Sequence, residues 1–147
     1  DVTGNTDGTT MYYEQETGTD QVDAGGTITA IPSNILSGDF DITQKRSAQG
    51  SVIGMPDLRG DGEYIMRISK FIPDFISQTG NTTLTFATKE YPNSTPASTS
   101  FSVGGSTTFQ STRLRGRSIQ LTVANTVAAE DWKLGTFRLD IHPGGRR

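Results

Sequence analysis

The sequence predicts an all-β protein, either an antiparallel β-sandwich or a jelly roll. Only 32% of the 147 residues are hydrophobic, and Gly, Ser and Thr are abundant, a balance that suits short strands with one face in water. Short segments of alternating apolar and polar residues recur, with turn residues about every eight to twelve positions. No segment shows a sustained helical period with capping residues at its ends.

The N-terminal part of the chain holds the first predicted strands. Residues 10–16 (TMYYEQE) have the aromatic and β-branched content of a strand, residues 17–26 are polar and turn-like, and residues 27–31 (TITAI) form a short strand. The next segment supplies four core candidates: Ile35, Leu36, Phe40 and Ile42. We therefore predict an acidic N-terminal segment of strands and linkers over residues 1–34, followed by a β-sandwich domain over residues 35–147.

The middle of the chain begins with a poorly structured stretch and continues with strands. Residues 43–62 are rich in glycine and mixed charges, which predicts a long surface excursion. Strands follow over residues 63–69 and 82–88, the second with Leu84 and Phe86 inward, and Pro73 marks a bend between them. Two further strands, 99–103 and 107–112, flank the turn at Gly104 and Gly105.

The last 35 residues contain two apolar triplets with a period of two. Ile119, Leu121 and Val123 form one triplet, and Phe137, Leu139 and Ile141 form the other. A period of two places each triplet on one face of a strand, so we expect both to face the core. A polar loop separates the two runs, which predicts a closing hairpin with Trp132 as a core anchor.

The inventory of reactive residues argues against catalysis. The chain has no cysteine and a single histidine, His142, which excludes thiolate chemistry and any multi-histidine metal site within one chain. His142 occupies a polar-facing position at a strand end. The remaining option is a pair of carboxylates, but the closest candidates, such as Asp57 and Asp61, lie in turn-like surroundings. We predict no enzymatic activity, no cofactor and no metal site.

Charge is strongly segregated along the chain, although the net charge is only −3. Residues 1–44 contain eight acidic residues and no Lys or Arg, whereas residues 113–147 contain seven basic and three acidic residues. An acidic front and a basic end can neutralise each other within one subunit or between neighbours. A solvated charge pattern would give the same composition.

Three arginines concentrate the basic charge. Arg113, Arg115 and Arg117 occupy every second position, so a strand would project all three side chains to one face, roughly 7 Å apart. Such a row suits carboxylates or phosphates. Because the chain is acidic, we expect carboxylate partners in the same or the next subunit, although in a ring the row could still face DNA. The predicted inter-subunit contact residues are Arg113, Arg115, Arg117, Arg138, Asp39 and Asp41.

Four stretches resemble a known family: YYEQETGTD (12–20), ILSGDFDI (35–42), GMPDLRGDGEYIMRISKFIPDF (54–75), and RLRGRSIQLTVAN (113–125) with WKLGTFRLDIHPGGRR (132–147). They resemble the C-terminal region of a bacteriophage virion protein, a tail hub or nozzle component of short-tailed phages. The Arg-x-Arg-Gly-Arg strand with Trp-x-Leu-Gly is the most specific part of this resemblance.

The resemblance implies a non-enzymatic structural protein that forms a homo-oligomeric ring, a hexamer, through which the genome passes. It also implies a longer parent chain, with a β-propeller-like region before this domain to which the N-terminal strand segment would belong. The expected partners are further copies and other tail proteins, with no small-molecule substrate and no membrane span. The expected location is the virion tail, assembled in the cytoplasm of the bacterial host.

One alternative comes from a different functional class. A carbohydrate-binding or receptor-binding β-sandwich module would present aromatic rings on a sheet face or at loop tips. The aromatic residues available for such a role are Tyr12, Tyr13, Tyr64, Tyr91 and Trp132. Most of them fall at inward or strand-edge positions, which favours a structural role.

Overall fold

A computed structural model describes residues 18–22, 25–42 and 64–145 of the chain. The strand predicted at 10–16 and the excursion at 43–62 lie outside these residues. Eleven strands and no helix occur in the described part. They are β1 (Asp20–Val22), β2 (Ile28–Ala30), β3 (Ser33–Leu36), β4 (Met66–Ile72), β5 (Phe75–Thr79), β6 (Asn81–Lys89), β7 (Ala97–Gly104), β8 (Gln110–Gly116), β9 (Ser118–Asn125), β10 (Asp131–Leu134) and β11 (Arg138–Pro143).

Two antiparallel sheets form the body of the fold and confirm the predicted all-β, sandwich-like class. A four-stranded sheet has the order β3-β9-β6-β7, and a three-stranded sheet has the order β11-β4-β8. Two smaller sheets pair β1 with β2 and β10 with β5. Residues 18–22, 25–42 and 64–145 contain no helix long and apolar enough to cross a membrane.

The core follows directly from the period-two alternation. In β6, Leu84 and Phe86 are completely buried, as the sequence predicts, while Thr83, the residue before Leu84, is exposed. Ile119 and Val123 of β9 are buried in the same sheet. Buried side chains from the three-stranded sheet, including Ile68, complete one hydrophobic cluster. The alternation is enough to place these residues because the two sheet faces differ in polarity.

Four phenylalanines join the two sheets at the centre of the core. The ring of Phe71 in β4 lies 5.2 Å from Phe86, 5.2 Å from Phe101 and 5.7 Å from Phe137, measured between centroids. Phe86 and Phe101 belong to the four-stranded sheet, whereas Phe71 belongs to the three-stranded sheet. Tilted and edge-on aromatic pairs add to the stabilisation that burial alone provides.

The predicted closing hairpin is wrong, although its two strands exist. β9 lies inside the four-stranded sheet and is hydrogen-bonded on one side to β3 and on the other to β6. Both sides of β9 are therefore occupied, and β11 pairs with β4 instead. The second predicted strand is also divided, into β10 and β11. β10 ends at Leu134, and the backbone N–H of the next residue, Gly135, donates a 2.8 Å hydrogen bond to Asp74 O.

The N-terminal segment departs from the prediction in two ways. Part of the segment predicted to be a turn forms β1, which pairs with β2. Ile35 and Leu36 are 50% and 60% exposed and do not belong to the core, because β3 is an edge strand of its sheet. Ile42 is buried and Phe40 is packed against the core, as expected. The predicted boundary between residues 34 and 35 falls inside β3.

Candidate subunit-contact surface

The outer face of the three-stranded sheet carries most of the basic charge of the described residues. Its strands hold five of the eight Lys and Arg residues in the described part of the chain and one of the eight Asp and Glu residues. All five basic side chains are exposed. We call this surface the cationic face; its basic residues are Arg67, Lys70, Arg113, Arg115 and Arg138.

Strand register aligns part of this charge into a row across the sheet. Arg67 of β4 lies directly opposite Arg115 of β8 and directly opposite His142 of β11. Neighbouring strands are about 4.8 Å apart, and like charges that face each other across a strand pair destabilise it. The Arg67–Arg115 pair therefore costs stability in the isolated subunit, and an anionic partner would relieve that cost.

A broad depression of about 1050 Å³ lies along the same row. Arg67, Arg113, Arg115 and His142 line it, together with Ser69 and neighbouring residues. Among the described residues, no carboxylate lies within ion-pair distance of Arg67, Arg113 or Arg115. These three guanidinium groups can therefore each bind an external anion.

The single carboxylate of the cationic face already has local partners. Ser69 Oγ donates a 2.7 Å hydrogen bond to Asp140 Oδ2, and His142 Nε2 lies 3.2 Å from Asp140 Oδ1. The hydrogen bond from Ser69 is the main cause that lowers the pKa of Asp140 below its ordinary value, and the charges of His142 and Lys70 act in the same direction. Asp140 is thus ionised at neutral pH but does not reach the arginines of β8.

The predicted row of three arginines holds for two of them. Arg113 and Arg115 are exposed on β8, with Leu114 buried between them. β8 ends at Gly116, and Arg117 forms the corner where the chain crosses to the other sheet. The backbone N–H of Arg117 donates to Lys89 O at 2.8 Å. Its guanidinium lies 6.0 Å from the ring centre of Tyr91, so it does not continue the row.

Arg138 and the two predicted acidic residues also have defined positions. Arg138 is exposed on β11, and its Nη2 lies 3.6 Å from Asp74 Oδ2. Asp39 forms a 2.8 Å ion pair with Lys89, so its carboxylate is engaged within its own subunit. Asp41 is half-buried close to the same corner, next to Phe40, which bridges to β9. The structure therefore brings Asp39 and Arg117 to one corner and leaves Arg113, Arg115 and Arg138 on the cationic face.

Two residues of the cationic face were missed by the sequence interpretation. Arg67 and Lys70 lie in a segment whose charge is nearly balanced, so composition does not mark them. The alternation of β4 indicates that Arg67 points outward, but its position opposite Arg115 depends on the pairing of β4 with β8. That pairing joins residues 48 positions apart and leaves no local signal.

A second feature lies at the side of the sandwich where β7 and β8 run along the edges of their sheets. A groove of about 410 Å³ separates them, lined by Thr99 and Phe101 of β7 and by residues of β8 that include Arg113 and Leu114. Among the described strands, β7 pairs with β6 alone and β8 with β4 alone. We call this feature the edge groove.

Two of the five aromatic residues named for the alternative function, Trp132 and Tyr64, have packing partners, and Tyr12 and Tyr13 lie outside the described residues. Trp132 is half-buried, packs edge-on against Phe75 and donates a 3.0 Å hydrogen bond from Nε1 to Ser33 Oγ. Tyr64 is partly buried against the core. Tyr91 is 64% exposed. Within the described ranges, no group of three or more His, Asp or Glu side chains could hold a metal ion.

Comparisons with known proteins add no family to this picture. No protein-family model matches the chain, and no curated protein sequence is significantly similar to it. The fold and the distribution of charge are therefore the structural basis for the functional argument.

Proposed function

We propose that this chain is a non-enzymatic structural component of a phage virion, of the tail hub or nozzle type, and that its copies assemble into a ring around the genome channel. The proposal rests on the sequence resemblance described above and is supported by one structural observation. The cationic face gathers five basic residues on one sheet of a chain whose net charge is −3.

A ring uses such a surface efficiently. In a closed ring each subunit presents two different surfaces, and each surface meets its complement on the next subunit. The cationic face is one candidate surface, and the acidic front of the sequence, with eight acidic and no basic residues in residues 1–44, is its electrostatic complement. Charge complementarity of this kind fixes the orientation of subunits and accelerates their association.

The repulsion between Arg67 and Arg115 also supports the proposal. Arg67 faces Arg115 across the pair of β4 and β8, an arrangement of like charges that local stability alone disfavours. Departures from locally favourable sequence are typical of functional surfaces. Carboxylates from a neighbouring subunit would convert this unfavourable pair into a set of charge-assisted hydrogen bonds.

The test is assembly of a triple variant in which Arg67, Arg113 and Arg115 are all replaced by alanine. Sedimentation velocity and negative-stain electron microscopy of the unaltered chain should show a ring, and the triple variant should remain folded but sediment as smaller species. Lys133→Ala, which removes an exposed lysine of β10 outside the cationic face, is the control and should assemble normally.

The outcomes distinguish a role of the cationic face in subunit contact from a role in DNA contact, and both from a chain that forms no ring. Intact rings of the triple variant at physiological salt would refute the contact role of the cationic face. Intact rings that have lost an affinity for duplex DNA would place this face towards the genome instead. A chain that stays monomeric at all concentrations would refute the ring itself.

A further inference from the structure

The edge groove has the properties of a site that receives an extended strand. The edge of β8 that borders the groove has no strand partner among the described residues, and β8 contains no proline; its only charges are Arg113 and Arg115. Exposed sheet edges are usually protected by charges, prolines or bulges, because an unprotected edge pairs with other chains. The half-buried ring of Phe101 and the side chain of Leu114 line the groove, so an added strand would cover apolar surface that is partly in water.

The pattern of β8 specifies what kind of strand would fit. Arg113 and Arg115 point outward from β8, and Leu114 between them points into the core. A strand added beside β8 would continue this alternation, since neighbouring strands in a sheet share the orientation of their side chains. The best partner therefore has two carboxylates, two residues apart, on one face and apolar side chains on the other.

Residues 10–16, TMYYEQE, have this pattern. Glu14 and Glu16 are two positions apart and would share one strand face, while Met11 and Tyr13 would share the other. The spacing of the two glutamates equals that of Arg113 and Arg115, roughly 7 Å along a strand. In this respect the segment is complementary to β8 in both charge and apolar alternation.

We infer that residues 10–16 of a second copy of this chain add as a strand to β8 in the edge groove, with Glu14 and Glu16 beside Arg113 and Arg115. This inference rests on the proposed ring and names the segment that forms its contact. Main-chain hydrogen bonds along the edge supply affinity in strand addition, and the side chains on the two faces supply specificity.

A second copy is the favoured source because of where the N-terminal segment enters the sandwich. β3, the first strand of the four-stranded sheet along the chain, lies at the opposite edge of that sheet from β7. Asp20 is attached on the same side as β3, to the loop after β9, through a 2.7 Å hydrogen bond from Ala129 N–H. Only residues 17–19 separate the predicted strand from Asp20, which gives its own copy little reach across the sheet.

The first experiment is a charge exchange in the full chain. The double variant Glu14→Arg with Glu16→Arg and the double variant Arg113→Glu with Arg115→Glu should each weaken self-association about tenfold or more, measured by sedimentation equilibrium. A one-to-one mixture of the two should recover association, since in an alternating assembly every segment meets a groove of opposite charge. The quadruple variant restores opposite charges in every contact and should recover assembly.

The second experiment uses the absence of natural cysteine. Glu14→Cys combined with Arg115→Cys tests an antiparallel strand, and Glu14→Cys combined with Arg113→Cys tests a parallel one. Under mild oxidation one of the two should give a ladder of disulfide-linked subunits on a non-reducing gel. Glu14→Cys combined with Thr83→Cys, on the outer face of the other sheet, is the control and should give none.

The outcomes distinguish this inference from the proposed function. Rings that form normally but show no cross-link, and that tolerate reversal of Glu14 and Glu16, would overturn the inference and leave the ring intact. A disulfide within single subunits would show that the segment occupies its own groove and would also overturn it. An unaltered chain that never assembles would overturn the proposed ring, and the inference with it.

Discussion

Truncation of Phe71 to alanine should remove much of the stability of this fold. Phe71 is fully buried and contacts the rings of Phe86, Phe101 and Phe137 across the two sheets. Phe→Ala substitutions in cores cost about 3–5 kcal/mol, and each well-formed aromatic pair adds roughly 0.5–1.5 kcal/mol beyond burial. The measured range for Phe→Ala already includes such ring contacts, and since three pairs are lost together we expect its upper end, about 4–5 kcal/mol, close to the whole stability of a modest domain.

The assay is urea unfolding at pH 7, followed by fluorescence of the single tryptophan. Phe71→Leu retains most of the volume and keeps the result measurable if the alanine variant does not fold; it should cost roughly 1–3 kcal/mol. The matched control is Phe109→Ala. Phe109 is 55% exposed and lies 5.9 Å from the Lys70 ammonium, so its loss should cost less than about 1 kcal/mol. Equal losses at Phe71 and Phe109 would refute the central role of the aromatic cluster.

Three further predictions concern single sites. Gly80→Ala should lower the free energy of unfolding by about 1–3 kcal/mol in a thermal melt, because Gly80 has a φ of 76° and an added Cβ would collide with the Glu130 side chain. Asn125→Asp should cost roughly 2–4 kcal/mol at pH 7, since the amide donates to Glu130 Oε2 at 2.9 Å and a carboxylate would repel it; the loss should shrink towards pH 4.5. Ser69→Ala should raise the pKa of Asp140 towards its ordinary value, as measured by carbon NMR of the carboxyl group.

The Gly80 prediction has a control, and the Asp140 prediction has a fixed sign. Gly18 also has a positive φ, of 82°, but an added Cβ meets nothing there, so Gly18→Ala should cost less than Gly80→Ala. Asp140 has a lower pKa in the folded chain than in the unfolded chain. Its contribution to stability is therefore present above the unfolded pKa and is lost as the pH falls through the folded pKa. Stability that increases on acidification through this range in the unaltered chain, but not in Ser69→Ala, would contradict the assignment.

The fold class could be predicted because its signal is local. The alternation that buries Leu84 and Phe86 is a property of adjacent residues, so it can be recognised without knowing the strand partner. Ile35 and Leu36 were misplaced for the opposite reason. Their apolar character is typical of a core strand, but burial also requires a covering neighbour, and β3 lies at a sheet edge.

The candidate site could be predicted only in part, for the same physical reason. Arg113 and Arg115 were recognisable because their spacing is a property of one strand. Arg67 joins them through the register of β4 against β8, and Arg117 leaves them because the chain turns at Gly116. Long-range pairing and the position of a corner depend on the whole packed structure, which a single sequence does not display locally.

The central position of β9 has a consequence for how the chain acquires its structure. Leu36 of β3 pairs with Thr122 of β9, and β9 also pairs with β6 along seven residues. No N-terminal fragment that stops before β9 contains a complete four-stranded sheet. The pairing of β3 and of one side of β6 therefore depends on a strand that is synthesised much later. Proteins dominated by such distant pairings fold slowly, in milliseconds to seconds. During synthesis the edges of β3 and β6 stay unpaired until β9 arrives, which makes this interval the one in which the nascent chain is most prone to aggregate.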